Sequence, residues 1–284
     1  MLMLPRNRTL LPRRRPAVMG ILNVTPDSFS DGGQFASTDA AIARGLAMLA
    51  EGADIIDVGA ESTRPGSHAV TSDEQVRRAL PVIAALRHAQ PDAVISIDTR
   101  SADVAGAALT AGADIVNDIS ALRGDARMLA IIARAEAAVV LMHMQGEPAT
   151  MQLDPAYADV VREVGDFLRT RAVFAESCGV ARRCIVLDPG IGFGKTRTHN
   201  LALLRELEIL VATGYPVLLG ASRKGFLAAY AADGTSPDAR LGSSLACVLR
   251  AREAGAAIVR VHDVADTCQF LDALDHLQCR RTGP

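Results

Sequence analysis

Eight short apolar runs recur along the 284-residue chain, at 17–23, 54–59, 93–98, 114–118, 138–143, 184–188, 216–220 and 257–262. They are rich in Val, Ile and Leu and are nearly continuous, as expected of strands buried on both faces of a parallel sheet. Ala-rich amphipathic stretches at 40–50, 73–88, 102–111, 127–135, 157–178, 199–212 and 242–254 separate them and predict helices. A short echo supports a repeated unit: Gly-Ala-Asp-Ile-Ile from Gly52, Gly-Ala-Asp-Ile-Val from Gly112 and Gly-Ala-Ala-Ile-Val from Gly255. Each glycine stands where a helix would end in the left-handed conformation. Eight units without a break in composition predict a single α/β domain, a (β/α)8 TIM barrel, over 17–284. A doubly wound open sheet is the alternative.

Residues 1–16 carry Arg6, Arg8, Arg13, Arg14 and Arg15. They read as a basic, solvated N-terminal tail; a transit peptide or an arm for nucleic acid would look similar. No apolar h-region follows these arginines, as a secretory signal would require. The formal net charge of −2 gives no electrostatic reason to expect nucleic acid or an acidic membrane as partner. No apolar run approaches the roughly 20 residues of a membrane span. Five cysteines without Cys-x-x-Cys spacing fit a reduced, cytoplasmic setting better than a disulfide framework.

The carboxyl ends of the predicted strands carry the chemistry. They are Asn23, Glu61-Ser-Thr-Arg64, Asp98-Thr-Arg100, Asn117-Asp118, His143, Asp188, Ser222-Arg-Lys224 and Arg260-Val-His-Asp263. A barrel gathers these ends at one mouth, where barrel active sites lie. Asp98, Asn117 and Asp188 can pair with the N–H-rich edge of a heterocycle. Arg64, Lys224, Arg260 and His262 can clamp phosphate or carboxylate oxygens. A ligand with a guanidine-like ring at one end and a polyphosphate at the other would satisfy both sets. Asn23 offers a neutral oxygen suited to Mg²⁺ that keeps several waters and bridges to phosphate. Asp118 and Asp263 neighbour these residues but should point the opposite way, because strand side chains alternate. His143, between two methionines, reads as a satisfied core histidine.

The segment Thr25–Gly33, with Phe29 and Asp31, has the composition of a mobile lid. Asp188-Pro-Gly-Ile-Gly-Phe-Gly-Lys195 fails both the Walker and the dinucleotide patterns, yet its glycines allow backbone or Phe193 to approach a flat ring. No zinc-ligand spacing and no Gly-x-Ser-x-Gly elbow occurs. Lys195 and Lys224 are the only lysines, against twenty-eight arginines. A chain so biased keeps lysine where a compact ammonium with three donors cannot be replaced by a planar fork. Lys224 reads as a site residue. Lys195 reads as an anchor for its loop or for the next helix.

Eight segments together resemble the dihydropteroate synthase family, the folate-pathway enzymes targeted by sulfonamides. They are Met19-Gly-Ile-Leu-Asn-Val-Thr-Pro-Asp-Ser-Phe-Ser-Asp-Gly-Gly33, Asp57-Val-Gly-Ala-Glu-Ser-Thr-Arg-Pro-Gly66, Ser96-Ile-Asp-Thr-Arg100, Asn117-Asp-Ile-Ser120, Met142-His-Met-Gln-Gly146, Asp188 to Lys195, Ser222-Arg-Lys-Gly-Phe226 and Arg260-Val-His-Asp263. The resemblance implies a transferase that condenses 6-hydroxymethyl-7,8-dihydropterin diphosphate with p-aminobenzoate. It assigns Asp98, Asn117, Asp188 and Lys224 to the pterin; Met142 and Phe193 are added as ring-lining residues. Asn23, Arg260 and His262 go to the diphosphate, with Mg²⁺ on Asn23. Phe29, Thr63, Arg64, Pro65 and Ser222 surround p-aminobenzoate, and Asp31 acts from the closed lid. Asp31, Arg64, Asp98 and Lys224 are the expected catalytic set, and a homodimer through outer helices is the expected assembly. A methyltetrahydrofolate methyltransferase on the same barrel would share the Asp/Asn set but not need Ser222-Arg-Lys224 or the Thr25–Gly33 lid. A non-catalytic paralogue would be expected to have lost site residues.

Overall fold

The computed structural model describes residues 1–10, 14–24, 33–61, 70–231 and 236–278. Its main sheet has eight strands, all paired in parallel: β3 (Ala17–Asn23), β4 (Ile55–Gly59), β5 (Val94–Asp98), β6 (Ile115–Asp118), β7 (Ala138–Met142), β8 (Ile185–Asp188), β9 (Leu218–Leu219) and β10 (Ile258–Val261). The strand order is β8-β7-β6-β5-β4-β3-β10-β9. A parallel bridge between Leu187 and Val217 joins β8 to the residues before β9 and completes the ring. The eight predicted strands are these eight, and the TIM barrel stands.

Between the strands lie α1 (Gly33–Ala50), α2 (Ser72–Ala89), α3 (Ala102–Ala111), α4 (Met128–Ala135), α5 (Val160–Ser177), α6 (Arg197–Arg205), α7 (Leu207–Val211) and α8 (Leu241–Ala254). The three echo glycines have φ of 102°, 116° and 82°, and Gly112 and Gly255 cap α3 and α8. One helix expected over 199–212 is broken at Glu206. Arg250 of α8 donates to the carbonyls of Leu204 and Arg205, at 2.9 and 2.7 Å. Those are carbonyls the helix would otherwise use internally, so a tertiary contact interrupts a local propensity. A further helix, α9 (Val264–Gln278), escaped the sequence reading. The spacing of buried Val264, Cys268 and Leu271 carries its signal.

The start of the chain is not a solvated tail. Met1 to Leu10 contains an antiparallel hairpin, β1 (Leu2–Leu4) with β2 (Arg8–Leu10). Leu2 and Leu4 are buried and plug the amino-terminal end of the barrel against Met19, Ile55, Ile115 and Ile258. Three of the arginines that suggested a basic arm are committed elsewhere. Arg6 and Arg8 both pair with Asp114, which also holds Arg87 at 2.7 Å and is itself fully buried. Arg15 pairs with Asp54 at 3.1 Å. Deleting residues 1–10 is therefore expected to destabilise the barrel by about 3–6 kcal/mol, from two buried leucines alone. Urea melts check this; a truncated chain as stable as the full one would mean the plug is dispensable.

Candidate active site

Side chains along a strand alternate, so every second residue points into the barrel. The lowest inward layer is apolar, with Met19, Ile55, Val94, Ile115 and Ile258. Two residues further along β4, β5, β6 and β10 the interior turns polar, while β3 still carries Ile21. Asp57 and Ser96, partners in the β4–β5 register, are fully buried. Above them the register places Asn23, Gly59, Asp98 and Asn117 in one row across β3 to β6. Gly59 leaves the centre of that row without a side chain, between Asn23 Oδ1 and Asp98. The residues predicted from strand ends thus lie at one mouth because register, not only chain order, aligns them.

Arg260 of β10 organises the acidic half. Its Nε donates to Asp57 Oδ2 at 2.6 Å and its Nη2 to Asp98 Oδ2 at 2.9 Å. Asn117 Nδ2 donates to the same Asp57 oxygen at 3.0 Å. Burial raises the pKa of Asp98; Arg260 opposes that shift and Asp57 adds to it. The guanidinium of Arg260 resists the burial that would weaken it, because Asp57 and Asp98 hold its pKa above the ordinary value. Asp57 Oδ1 and Ser96 Oγ are buried polar atoms with no partner among the described residues. Buried polar atoms of this kind suit a water or a ligand donor.

Across the mouth, Asp188 of β8 is buried and accepts the Gly190 amide at 2.7 Å. Burial raises its pKa, while the Gly190 amide, Lys224, Arg260 and Lys195 lower it. Met142 pairs with Asp188 in register and packs with Ile119, Met144, Met151 and Phe193 into a small apolar cluster. The Lys224 ammonium sits 4.0 Å from the centre of the Phe193 ring. Phe193 and Lys224 therefore form one wall with a flat apolar face and a cationic tip.

Ser222 and His262 form the third group. Ser222 Oγ accepts the His262 backbone N–H at 3.2 Å and lies 3.1 Å from His262 Nδ1. If the serine hydroxyl donates to Nδ1, the ring proton sits on Nε2, ready to bind an anion. Burial, with Arg260 and Arg223 nearby, pushes the pKa of His262 down to about 4. His262 is thus neutral at pH 7, and anion binding would begin as a hydrogen bond. In the unfolded chain the imidazole titrates at about 6.5. Between pH 6.5 and 4 the unfolded state binds the extra proton, so this group makes stability fall as pH falls. His262→Gln is expected to reduce the stability lost between pH 7 and 5; denaturant melts at both values check it, and an equal loss in the variant would contradict it.

Asn23, Asp98, Asn117, Met142, Asp188, Phe193, Ser222, Lys224, Arg260 and His262 are all placed at or just below this mouth. Phe29, Asp31, Thr63, Arg64 and Pro65 lie outside the described residues. Asp57 and Ser96 were missed, although both stand two residues before a strand end, where alternation turns a side chain inward. Asp118 and Asp263 do point elsewhere: Asp118 accepts the Ser120 and Leu122 amides, and Asp263 pairs with Arg223. His143 is buried, as a core histidine should be.

No group of three or more His, Cys, Asp or Glu among the described residues could hold a metal ion. A single carboxamide oxygen on Asn23 fits an ion that arrives with a phosphate and keeps its waters.

A family model described as pterin binding enzyme matches residues 19–262. The chain is 46% identical over 275 residues to a dihydropteroate synthase of Synechocystis sp., covering 95% of this chain and 94% of that protein. This chain belongs to the dihydropteroate synthase family. Among solved structures, the Xanthomonas albilineans dihydropteroate synthase with 4-aminobenzoic acid superposes with a TM-score of 0.87 at 45% identity, covering 94% of each chain. The same enzyme in complex with 7,8-dihydropteroate gives a TM-score of 0.83 at 42% identity, covering 94% of this chain and 95% of that one.

Proposed function

We propose that this chain joins 6-hydroxymethyl-7,8-dihydropterin diphosphate to p-aminobenzoate, giving 7,8-dihydropteroate and diphosphate, by dissociative substitution at the exocyclic methylene. The observation that carries this reading is the arginine at the centre of the mouth. Arg260 touches Asp57 and Asp98 on one side and lies beside His262 on the other, so pterin and diphosphate recognition share one residue. The carbon–oxygen bond to diphosphate breaks and its electron pair leaves with the diphosphate oxygen. Arg260 and the Nε2 of His262 stabilise that developing charge. The remaining cation is delocalised into the pterin ring beside the carboxylates of Asp98 and Asp188. The neutral arylamine then attacks the methylene and afterwards loses its proton, so no strong base is required.

Asn23 would hold Mg²⁺, whose chemistry there is to neutralise charge on the diphosphate oxygens. Thr63, Arg64, Pro65, Phe29 and Ser222 are assigned to p-aminobenzoate, and Asp31 to the closed lid. Ser222, bound to His262, would link the amine subsite to the anion subsite. A homodimer through the outer helices is supported by exposed Val173 and Phe174 on α5 and Ile209 on α7. The four described cysteines are all unpaired, in keeping with a reducing cytoplasm. No helix among the described residues is long and apolar enough to cross a membrane.

The test is diphosphate release from the pterin diphosphate, measured with and without p-aminobenzoate and with and without Mg²⁺. Release that needs both, together with formation of dihydropteroate, supports the assignment. Release that ignores the amine, or no release at all, rejects it.

A further inference from the structure

Lys195 takes no part in the chemistry above, yet its side chain is almost completely buried. Its Nζ lies 2.9 Å from His143 Nδ1, 3.3 Å from the His143 carbonyl oxygen and 3.0 Å from the Phe193 carbonyl oxygen. Three donors thus meet three acceptors, which suits a tetrahedral ammonium and not a planar guanidinium. Burial pushes the amine down to about 7, Asp188 pulls it up and Lys224 adds to the depression. His143 is pushed to about 3, first by burial and then by Lys195. It is therefore neutral, and its Nδ1 accepts when the ring proton is on Nε2. Keeping an amine buried with no carboxylate in contact among the described residues is costly.

What depends on it is the contact between two loops. His143 follows β7, and Phe193 follows β8. The loop after β8 is pressed against the loop after β7. A side chain at Gly190 would come within 1.9 Å of the His143 carbonyl oxygen, and one at Gly194 within 2.4 Å of that of Gln145. Tyr157 Oη donates to the Gly194 carbonyl at 2.8 Å, and Asn200 Oδ1 accepts the Gly192 amide at 2.7 Å. The result is that Phe193 is held against the apolar cluster with its ring facing the Lys224 ammonium.

We propose that Lys195 is a positioning residue for the pterin subsite: by joining His143 to the Phe193 carbonyl it holds the loop after β8 so that Phe193 and Lys224 form one wall of the pocket. This rests on the pterin reading above. Lys195 is set back from the pocket and acts through Phe193, so its loss should weaken pterin binding and spare the amine.

Lys195→Met leaves two buried carbonyls without their donor, and Lys195→Arg offers the wrong shape. In both variants the dissociation constant for the pterin diphosphate, read by calorimetry, should rise about tenfold or more. The KM for p-aminobenzoate should stay within about twofold of wild type. His143→Gln, which keeps an acceptor for the amine, should bind pterin more nearly like wild type than His143→Leu. Hydrogen exchange of amides 190–196 in ligand-free protein should quicken in Lys195→Met while the β-strand amides stay protected. Unchanged exchange in that loop, or unchanged pterin affinity where wild type binds, overturns the proposal. Wild-type protein that fails to bind the pterin overturns the substrate reading instead, and the exchange result on ligand-free protein still decides whether Lys195 holds the loop. Should Lys195→Met fail to fold, the His143→Leu and His143→Gln pair decides by the same measurements.

Discussion

Arg260→Ala should lose both turnover and stability. Asp57 is completely buried, and among the described residues Arg260 is its only cationic partner at hydrogen-bond distance. Without the guanidinium, Asp57 keeps, among the described residues, the Asn117 amide on one oxygen and no partner on the other. Removing one member of a buried ion pair costs about 3–5 kcal/mol. Turnover should fall about 10²- to 10³-fold or more, because in the proposed mechanism the same group stabilises the leaving diphosphate. Adding Asp57→Asn separates the two effects. The double variant no longer buries an unpaired carboxylate, so it should recover much of the stability in urea melts while turnover stays lost. A single variant as stable as wild type, or a double variant that regains activity, would refute this account of Arg260.

Asp98→Asn should behave in the opposite way, with large loss of turnover and almost none of stability. Arg260 retains Asp57 in this variant. The carboxyl of Asp98 is held above its ordinary pKa chiefly by burial, so the fold gains nothing from its charge. A raised pKa contributes stability below the unfolded pKa of about 3.8 and loses it as pH rises through the folded value. At pH 8 the Asn variant should therefore be at least as stable as wild type. Turnover should drop about 10²- to 10³-fold, because an amide cannot offset the pterin cation of the proposed mechanism. In wild type, activity should climb with pH as Asp98 ionises, and the variant should lack that limb. Near-normal kcat/KM in Asp98→Asn, with the acid limb intact, would remove Asp98 from the mechanism.

The gap between what was legible and what was not follows the range of the forces involved. Strand ends such as Asn23, Asp98, Asn117 and Asp188 could be read because burial on both faces imposes an apolar run that stops at the mouth. Alternation also separated Asp118 and Asp263 from the inward-pointing residues on either side of them. The break at Glu206 could not be read, since the local pattern favours a continuous helix and only Arg250, 46 residues from Leu204, interrupts it. The hairpin at Leu2 to Leu10 was hidden for a related reason. Its arginines look like a solvated arm until Asp114 is found beneath them.

The sequence alone determined the eight strands, the helices that join them, the polar chemistry of the strand ends and the family, because periodicity, capping and motif are properties of neighbouring residues. Only the tertiary structure decided that Asp57, 203 residues from Arg260, is its buried partner. That contact depends on the register by which the sheet closes, which no local pattern encodes. The same closure decided the fate of Lys195, whose loop is pressed onto the loop after β7 and whose ammonium ends among the backbone carbonyls of both.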